Sequence, residues 1–96
     1  MKHAGAAALD TLESMLQELR AVPGLTEKSR GVFYRRAKAF LHFHEDPSGV
    51  HADVRPADTF VRYRVETADE QKALVDLVRS VSSWMARSTT ASISTT

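Results

Sequence analysis

Residues 31–54, GVFYRRAKAFLHFHEDPSGVHADV, decide the fold of this chain. From residue 38 to residue 44, apolar side chains alternate with a mixed set of lysine, phenylalanine and histidine, which is the pattern of a half-buried β-strand. A second apolar set follows at Val50, Ala52 and Val54, and the segment 46–49 between the two sets (Asp-Pro-Ser-Gly) has the composition of a type I turn. The stretch therefore predicts a β-hairpin.

The register of this hairpin determines which side chains share a face of the sheet. A three-residue loop closed by a glycine bulge would place the second apolar set on the histidine face. A four-residue loop instead sets His44 opposite His51. His42 then lies opposite Asp53, and the small apolar residues gather on the other face. Turn preference is worth about 1 kcal/mol, whereas each larger apolar side chain that is misplaced forfeits about 1–3 kcal/mol, so we predict the second register.

Two further strands are predicted on either side of this hairpin. Val32–Arg35 is short and β-prone, and its spacing from residue 38 indicates a tight hairpin. Neither Arg36 nor Ala37 favours the positive φ of a two-residue turn, which leaves a longer turn open. Thr59–Val65 alternates cleanly and is expected to pair with the strand before it.

Helices are predicted at both ends of the chain. Leucines recur at spacings of three and four from about residue 6 to residue 22, and Pro23-Gly24 ends the pattern. Residues 25–30 are expected to be a polar connection. Thr67–Glu70 matches a capping box and starts a second helix, whose apolar stripe runs through Trp84 and Met85 to about residue 87 and is expected to pack in the core. The Ser/Thr-rich residues 88–96 are predicted to be a disordered tail.

We therefore expect one α+β domain over residues 1–87. It is a four-stranded antiparallel meander with the N- and C-terminal helices on one face, an α-β-β-β-β-α two-layer sandwich. The helix-covered face is predicted to carry Val32, Tyr34, Leu41, Phe43, Val50, Val54, Val61 and Tyr63. The opposite face, called the outer face below, is predicted to carry Phe33, Phe40, His42, His44, His51, Asp53, Arg62 and Arg64.

Composition limits the classes of function. The 96 residues contain no cysteine, which removes disulfides, thiolate nucleophiles and cysteine-ligated zinc and fits a reducing cytosol. The net charge of +1 argues against a protein that binds nucleic acid mainly through its phosphate backbone. No apolar run is long enough to cross a membrane, and the N-terminal region turns acidic too soon for a secretion signal. We expect a cytoplasmic protein with no membrane partner.

The histidines of the outer face suggest a metal. In the predicted register His42, His44, His51 and Asp53 share one face of one hairpin, and imidazole with carboxylate suits zinc, iron or another divalent cation. A polar, solvated sheet face explains the same residues without a cofactor. The same set also suits acid–base catalysis, with a histidine oriented by Asp53, but no nucleophile accompanies it.

Phenylalanines and basic residues on the outer face suggest other partners. By parity Phe33, Phe40 and Phe60 share this face with cations such as Arg62 and Arg64, as on sheets that bind single-stranded nucleic acid. An exposed phenylalanine trio also indicates a protein partner or a homo-oligomer. The sequence favours a non-enzymatic binding or protein-interaction module. A metal-dependent or acid–base enzyme and a single-stranded nucleic-acid binder are the alternatives.

Several short motifs resemble known families. Pro23-Gly24, Gly31 to Phe33, His42 to His44 and Ala52-Asp53 together resemble the luciferase-like domain of unknown function, found in small conserved hypothetical bacterial proteins. The order of a helix followed by a Pro-Gly entry into a meander is also similar to the MmcQ/YjbR-like α+β proteins. The resemblances imply an α+β fold and no particular catalytic residue.

Overall fold

A computed structural model describes the backbone of residues 2–94 and the side chains of residues 2–82. The sheet is antiparallel and has the order β2-β3-β4-β5-β6, with β1 paired to β4. The predicted α+β fold, with helices at both ends, is confirmed, and the sheet contains two strands beyond the predicted four. In chain order the elements are β1 (Lys2–His3), α1 (Ala6–Thr11), α2 (Glu13–Arg20), β2 (Leu25–Ser29), β3 (Val32–Arg35), β4 (Lys38–Asp46), β5 (Gly49–Val54), β6 (Val61–Arg64) and α3 (Ala68–Ser94).

The helices and one face of the sheet form a single apolar core. Each fully buried aliphatic side chain in it contributes about 1.5–3 kcal/mol relative to exposure. Val61, predicted on this face, is 40% exposed because it lies on the edge strand β6. The core side chains include Leu12, Leu16, Leu19, Leu41, Phe43, Val54, Val65, Leu74 and Val78.

The central hairpin has the predicted register. His42 pairs with Asp53 and His44 pairs with His51, so the histidine face and the apolar face are separated as expected. The two strands extend one residue further than predicted, because Asp46 also pairs with Gly49. The Asp46 carboxylate accepts a hydrogen bond of 2.8 Å from the backbone N–H of Ser48, which closes the turn.

The predicted facing of β3 is wrong, because a bulge breaks the alternation. Phe33 pairs with Leu41 and Tyr34 pairs with Ala39, so Phe40 is an extra residue between the two pairs. Phe33 therefore points to the core and is fully buried, while Val32 and Tyr34 point away from it. Phe40 is 3% exposed and belongs to the same core cluster. Neither phenylalanine is available on an open surface.

The segment predicted as a polar connection forms the edge strand β2. Its polar character reflects its place at the edge of the sheet, where one face and one side meet solvent. Glu27 accepts a hydrogen bond from the Arg20 guanidinium of α2 and a second, at 2.9 Å, from the N–H of Gly31. These two bonds tie β2 to the helix layer and to the turn that leads into β3.

The capping box that starts α3 is present. The Thr67 hydroxyl accepts a hydrogen bond of 3.1 Å from the N–H of Glu70, and the Glu70 carboxylate accepts one of 3.0 Å from the N–H of Thr67. The side chains of Trp84 and Met85, expected in the core, lie outside the described residues. The disordered tail proposed for residues 88–96 overlaps the end of α3 and stays a prediction. Among the described residues no helix is both long and apolar enough to cross a membrane.

Candidate metal centre on the outer sheet face

Three histidines meet on the outer face because β1 pairs with the end of β4. His42 and His44 occupy alternate positions of β4 and therefore point to the same side. His3 lies directly opposite His44 in the β1–β4 pair. Two hydrogen bonds just after β1 add to its pairing with β4: the N–H of Ala4 donates to the Phe43 carbonyl at 3.0 Å, and the N–H of Gly5 donates to the Glu45 carboxylate at 2.6 Å.

The three imidazoles are close enough to share one ion. Their ring centroids lie 4.7 Å apart for His42 and His44, 4.8 Å for His3 and His44, and 5.8 Å for His3 and His42. One ligand nitrogen from each ring lies within 4.8 Å of the others. A tetrahedral zinc ion, with Zn–N distances of about 2.0–2.1 Å, places its ligands about 3.4 Å apart. Side-chain rotations that move the nitrogens by about an ångström would close the site.

Asp53 supports this cluster but does not belong to it. Both carboxylate oxygens accept hydrogen bonds from the Arg62 guanidinium, at 2.8 and 2.9 Å, and one oxygen also lies 3.2 Å from His44 Nε2. The hydrogen bonds from Arg62, followed by its charge and that of His44, lower the pKa of Asp53. The carboxylate is therefore ionised at neutral pH and positioned to orient the His44 ring.

Burial favours the neutral form of the His42 imidazole. Burial lowers the pKa of His42, and the neighbouring charge of His44 lowers it further, against an opposing effect of Asp53. Neutral imidazole is the form that ligates a metal. The Nδ1 atoms of His42 and His44, like that of His51 outside the cluster, are buried and have no hydrogen-bond partner among the described residues. An unpartnered buried nitrogen is costly, and a bound cation would satisfy it.

The other predicted site residues are distributed differently. His51 shares the outer face with His42 and His44 but lies outside the group of clustered ligand atoms. Arg64 lies beside His51 in the sheet and 3.7 Å from a Glu70 carboxylate oxygen. Phe60, 41% exposed, packs against His42 with a centroid distance of 4.9 Å. The burial of Phe33 and Phe40 removes two of the three stacking rings on which a nucleic-acid interface would depend.

The sequence patterns did not identify His3. It belongs to a two-residue strand without a local hydrophobic alternation, and its role follows from long-range pairing with His44. The one available signal was the presence of a histidine outside the hairpin.

No protein-family model, curated protein or solved structure matches this chain, and the resemblances stated above stay predictions.

Proposed function

We propose that this chain is a binding module whose outer sheet face takes one divalent transition-metal ion, zinc or a cation of similar ligand preference, through His3, His42 and His44. The observation that carries the proposal is the convergence of three ligand nitrogens within 4.8 Å on two paired strands. Imidazole ligands suit zinc, copper, nickel and iron and disfavour magnesium and calcium.

Asp53 strengthens this proposal through the orientation of His44. Metal-ligating histidines usually donate their second ring N–H to a carboxylate or a carbonyl, which fixes the tautomer and raises the basicity of the ligand nitrogen. Here Nε2 of His44 is engaged by Asp53, which leaves Nδ1 for the ion. Arg62 occupies both oxygens of Asp53 and keeps this carboxylate from acting as a competing ligand.

Three imidazoles leave one position of a tetrahedral ion open. Water or an oxygen atom of a further ligand would fill it, which fits a module that binds a partner through the metal. Protons compete for the same nitrogens, so the affinity for metal is expected to fall as the pH is lowered.

Metal titration of the tag-free protein, stripped with a chelating resin, tests the proposal. We expect one zinc ion per chain by calorimetry. At a free zinc concentration of about 100 times Kd, the stability gain is about 2.7 kcal/mol, visible as a rise in the unfolding temperature. His3→Ala, His42→Ala and His44→Ala should each weaken binding by at least about tenfold.

His51→Ala is the matched control, because it removes a histidine from the same face that lies outside the cluster. It should retain zinc affinity close to that of the unmodified chain. Equal losses for His51→Ala and for the cluster variants would show non-specific binding by surface imidazoles. An absence of saturable binding would refute the proposal.

Self-association through β6 is a second candidate function. Phe60 and Val61 are exposed by 41% and 40%, and β6 pairs with β5 and with no other strand among the described residues. Exposed apolar side chains beside an unpaired strand edge are the features through which sheets from two chains join. The occupant that fits this edge is a second copy of the chain.

A further inference from the structure

A cavity lies at the end of the sheet where the β3–β4 turn faces the β5–β6 loop. Its volume is about 410 Å³, within the range of small-molecule sites in proteins. One wall consists of Arg35, Arg36 and Lys38, the other consists of residues 55–58, and Phe40 lies between them. The histidine cluster does not line it.

The cavity concentrates positive charge. Four cationic side chains line it and one carboxylate, that of Asp58, accompanies them, so the lining carries an excess of three positive charges. The whole chain has a net charge of only +1. A concave site with one sign of charge focuses the field and favours an anion of the opposite sign. The four cations are Arg35, Arg36, Lys38 and Arg55.

Arg35 and Arg55 differ from the arginines that hold the fold together. Arg20, Arg30 and Arg62 are engaged by carboxylates at hydrogen-bond distance. The Nε atom of Arg35, by contrast, is buried and has no hydrogen-bond partner among the described residues. Arg55 lies over the ring of Phe60, 5.4 Å from its centroid, which leaves its N–H groups for a ligand. An anion would satisfy the donors that the cavity presents.

The turn that carries Arg36 is strained. Arg36 has a φ of 52° and Ala37 has a φ of 65°, and the left-handed region costs a non-glycine residue about 1–2 kcal/mol. Asparagine and glycine would form this two-residue turn at lower cost. Non-glycine residues held in the left-handed region are found most often at functional sites. In return for this strain, the turn places the cationic side chain of Arg36 in the cavity wall, which asparagine or glycine would not do.

The apolar part of the lining also shapes the choice of ligand. Phe40, Pro56 and Ala57 give the lining an apolar part beside the cations. A single phosphate would neutralise only part of the excess positive charge of the lining, whereas two linked phosphate groups would neutralise about all of it. An attached organic group would lie against the apolar wall.

We propose that this cavity binds a compound with two linked phosphate groups, independently of the histidine cluster. Titration of the metal-free chain with inorganic pyrophosphate and with adenosine diphosphate, by calorimetry at low salt, tests it. We expect saturable binding of one ligand per chain. Binding should weaken as salt rises from about 0.1 M to 1 M, because the screening length falls from about 10 to 3 Å. Tighter binding of the nucleotide would assign the site to diphosphate esters, and equal affinities would assign it to free pyrophosphate.

Charge-removing variants separate a site from general attraction to a cation. Lys38→Ala and Arg55→Ala should each weaken pyrophosphate binding by about tenfold or more, the usual effect of losing a charged hydrogen bond. Lys38 is exposed, so its variant should keep the unfolding temperature of the unmodified chain. Lys72→Ala is the matched control: it removes the same charge from the exposed surface of α3 and should change the affinity by less than about twofold. Equal weakening by Lys72→Ala, or no saturable binding of either probe, would overturn the proposal.

Discussion

Replacing Ala37 by glycine should stabilise this protein, although the substitution removes a side chain. Ala37 has a φ of 65°, where an L-residue pays about 1–2 kcal/mol that glycine does not pay. Glycine gives the unfolded chain more freedom, which costs the folded state about 0.5–1 kcal/mol. The Ala37 side chain is exposed, so little packing is lost. The net expectation is a stabilisation of roughly 0.5–1 kcal/mol.

Urea unfolding followed by circular dichroism measures this difference. For a domain of this size the slope of the unfolding free energy is about 1–3 kcal/mol per molar urea, so the midpoint should rise by roughly 0.5 M with an unchanged slope. In heat unfolding, each 1 kcal/mol corresponds to about 4–8 °C. Ala39→Gly is the control, because Ala39 is half-buried in β4 and paired with Tyr34. It should lose about 1 kcal/mol. If Ala37→Gly also destabilises, the turn is not strained as its dihedral angles indicate.

Two more predictions concern acid stability and association. Hydrogen bonds from Arg20 and then Arg30 lower the pKa of Glu13 from 4.5 to about 2. The ionised carboxylate therefore stabilises the fold at pH values above the pKa of the unfolded chain, and this stability is lost as the pH falls from about 4.5 to 2. Urea midpoints across that window should fall less steeply for Glu13→Gln than for Glu18→Gln, and equal slopes would contradict the assignment. For β6, sedimentation equilibrium should detect a concentration-dependent dimer that Val61→Lys weakens and Thr59→Lys, in the exposed loop before the strand, leaves intact. A monomer at every concentration would rule out self-association.

Local patterns in the sequence were sufficient for much of the fold. The capping box at Thr67 and the leucine spacing before Pro23 predicted where the helices lie, because caps and amphipathic stripes are local features. The first of them was predicted as one helix, whereas the structure divides it at Leu12 into α1 and α2. The hairpin register followed from a comparison of packing with turn preference, and the pairing of His44 with His51 confirms it. These features share one property: the residues that determine them are close together in the chain.

The errors arose where strand pairing or side-chain hydrogen bonds, and not hydrophobic periodicity, determine the structure. Parity assigned Phe33 to the outer face, but the bulge at Phe40 shifts the pairing of β3 against β4 and reverses that assignment. The polar strand β2 has no hydrophobic alternation of its own; it forms by pairing with β3, supported by the bonds from Arg20 and Gly31 to Glu27. Hydrophobic periodicity carries no information about either effect.

The candidate metal site shows both outcomes in one place. His42 and His44 could be placed together from the sequence because alternate strand residues share a side. His51, which the same parity placed beside them, is on the correct face but outside the cluster, whereas His3 completes it from a strand of two residues. Because His3 lies in β1, the site depends on the hydrogen bonds that hold this strand against β4. The shortest of those named above is the bond that the N–H of Gly5 donates to the Glu45 carboxylate. Metal binding and the docking of the N-terminal strand should therefore stabilise each other, because an ion that binds His3 also fixes β1 against β4.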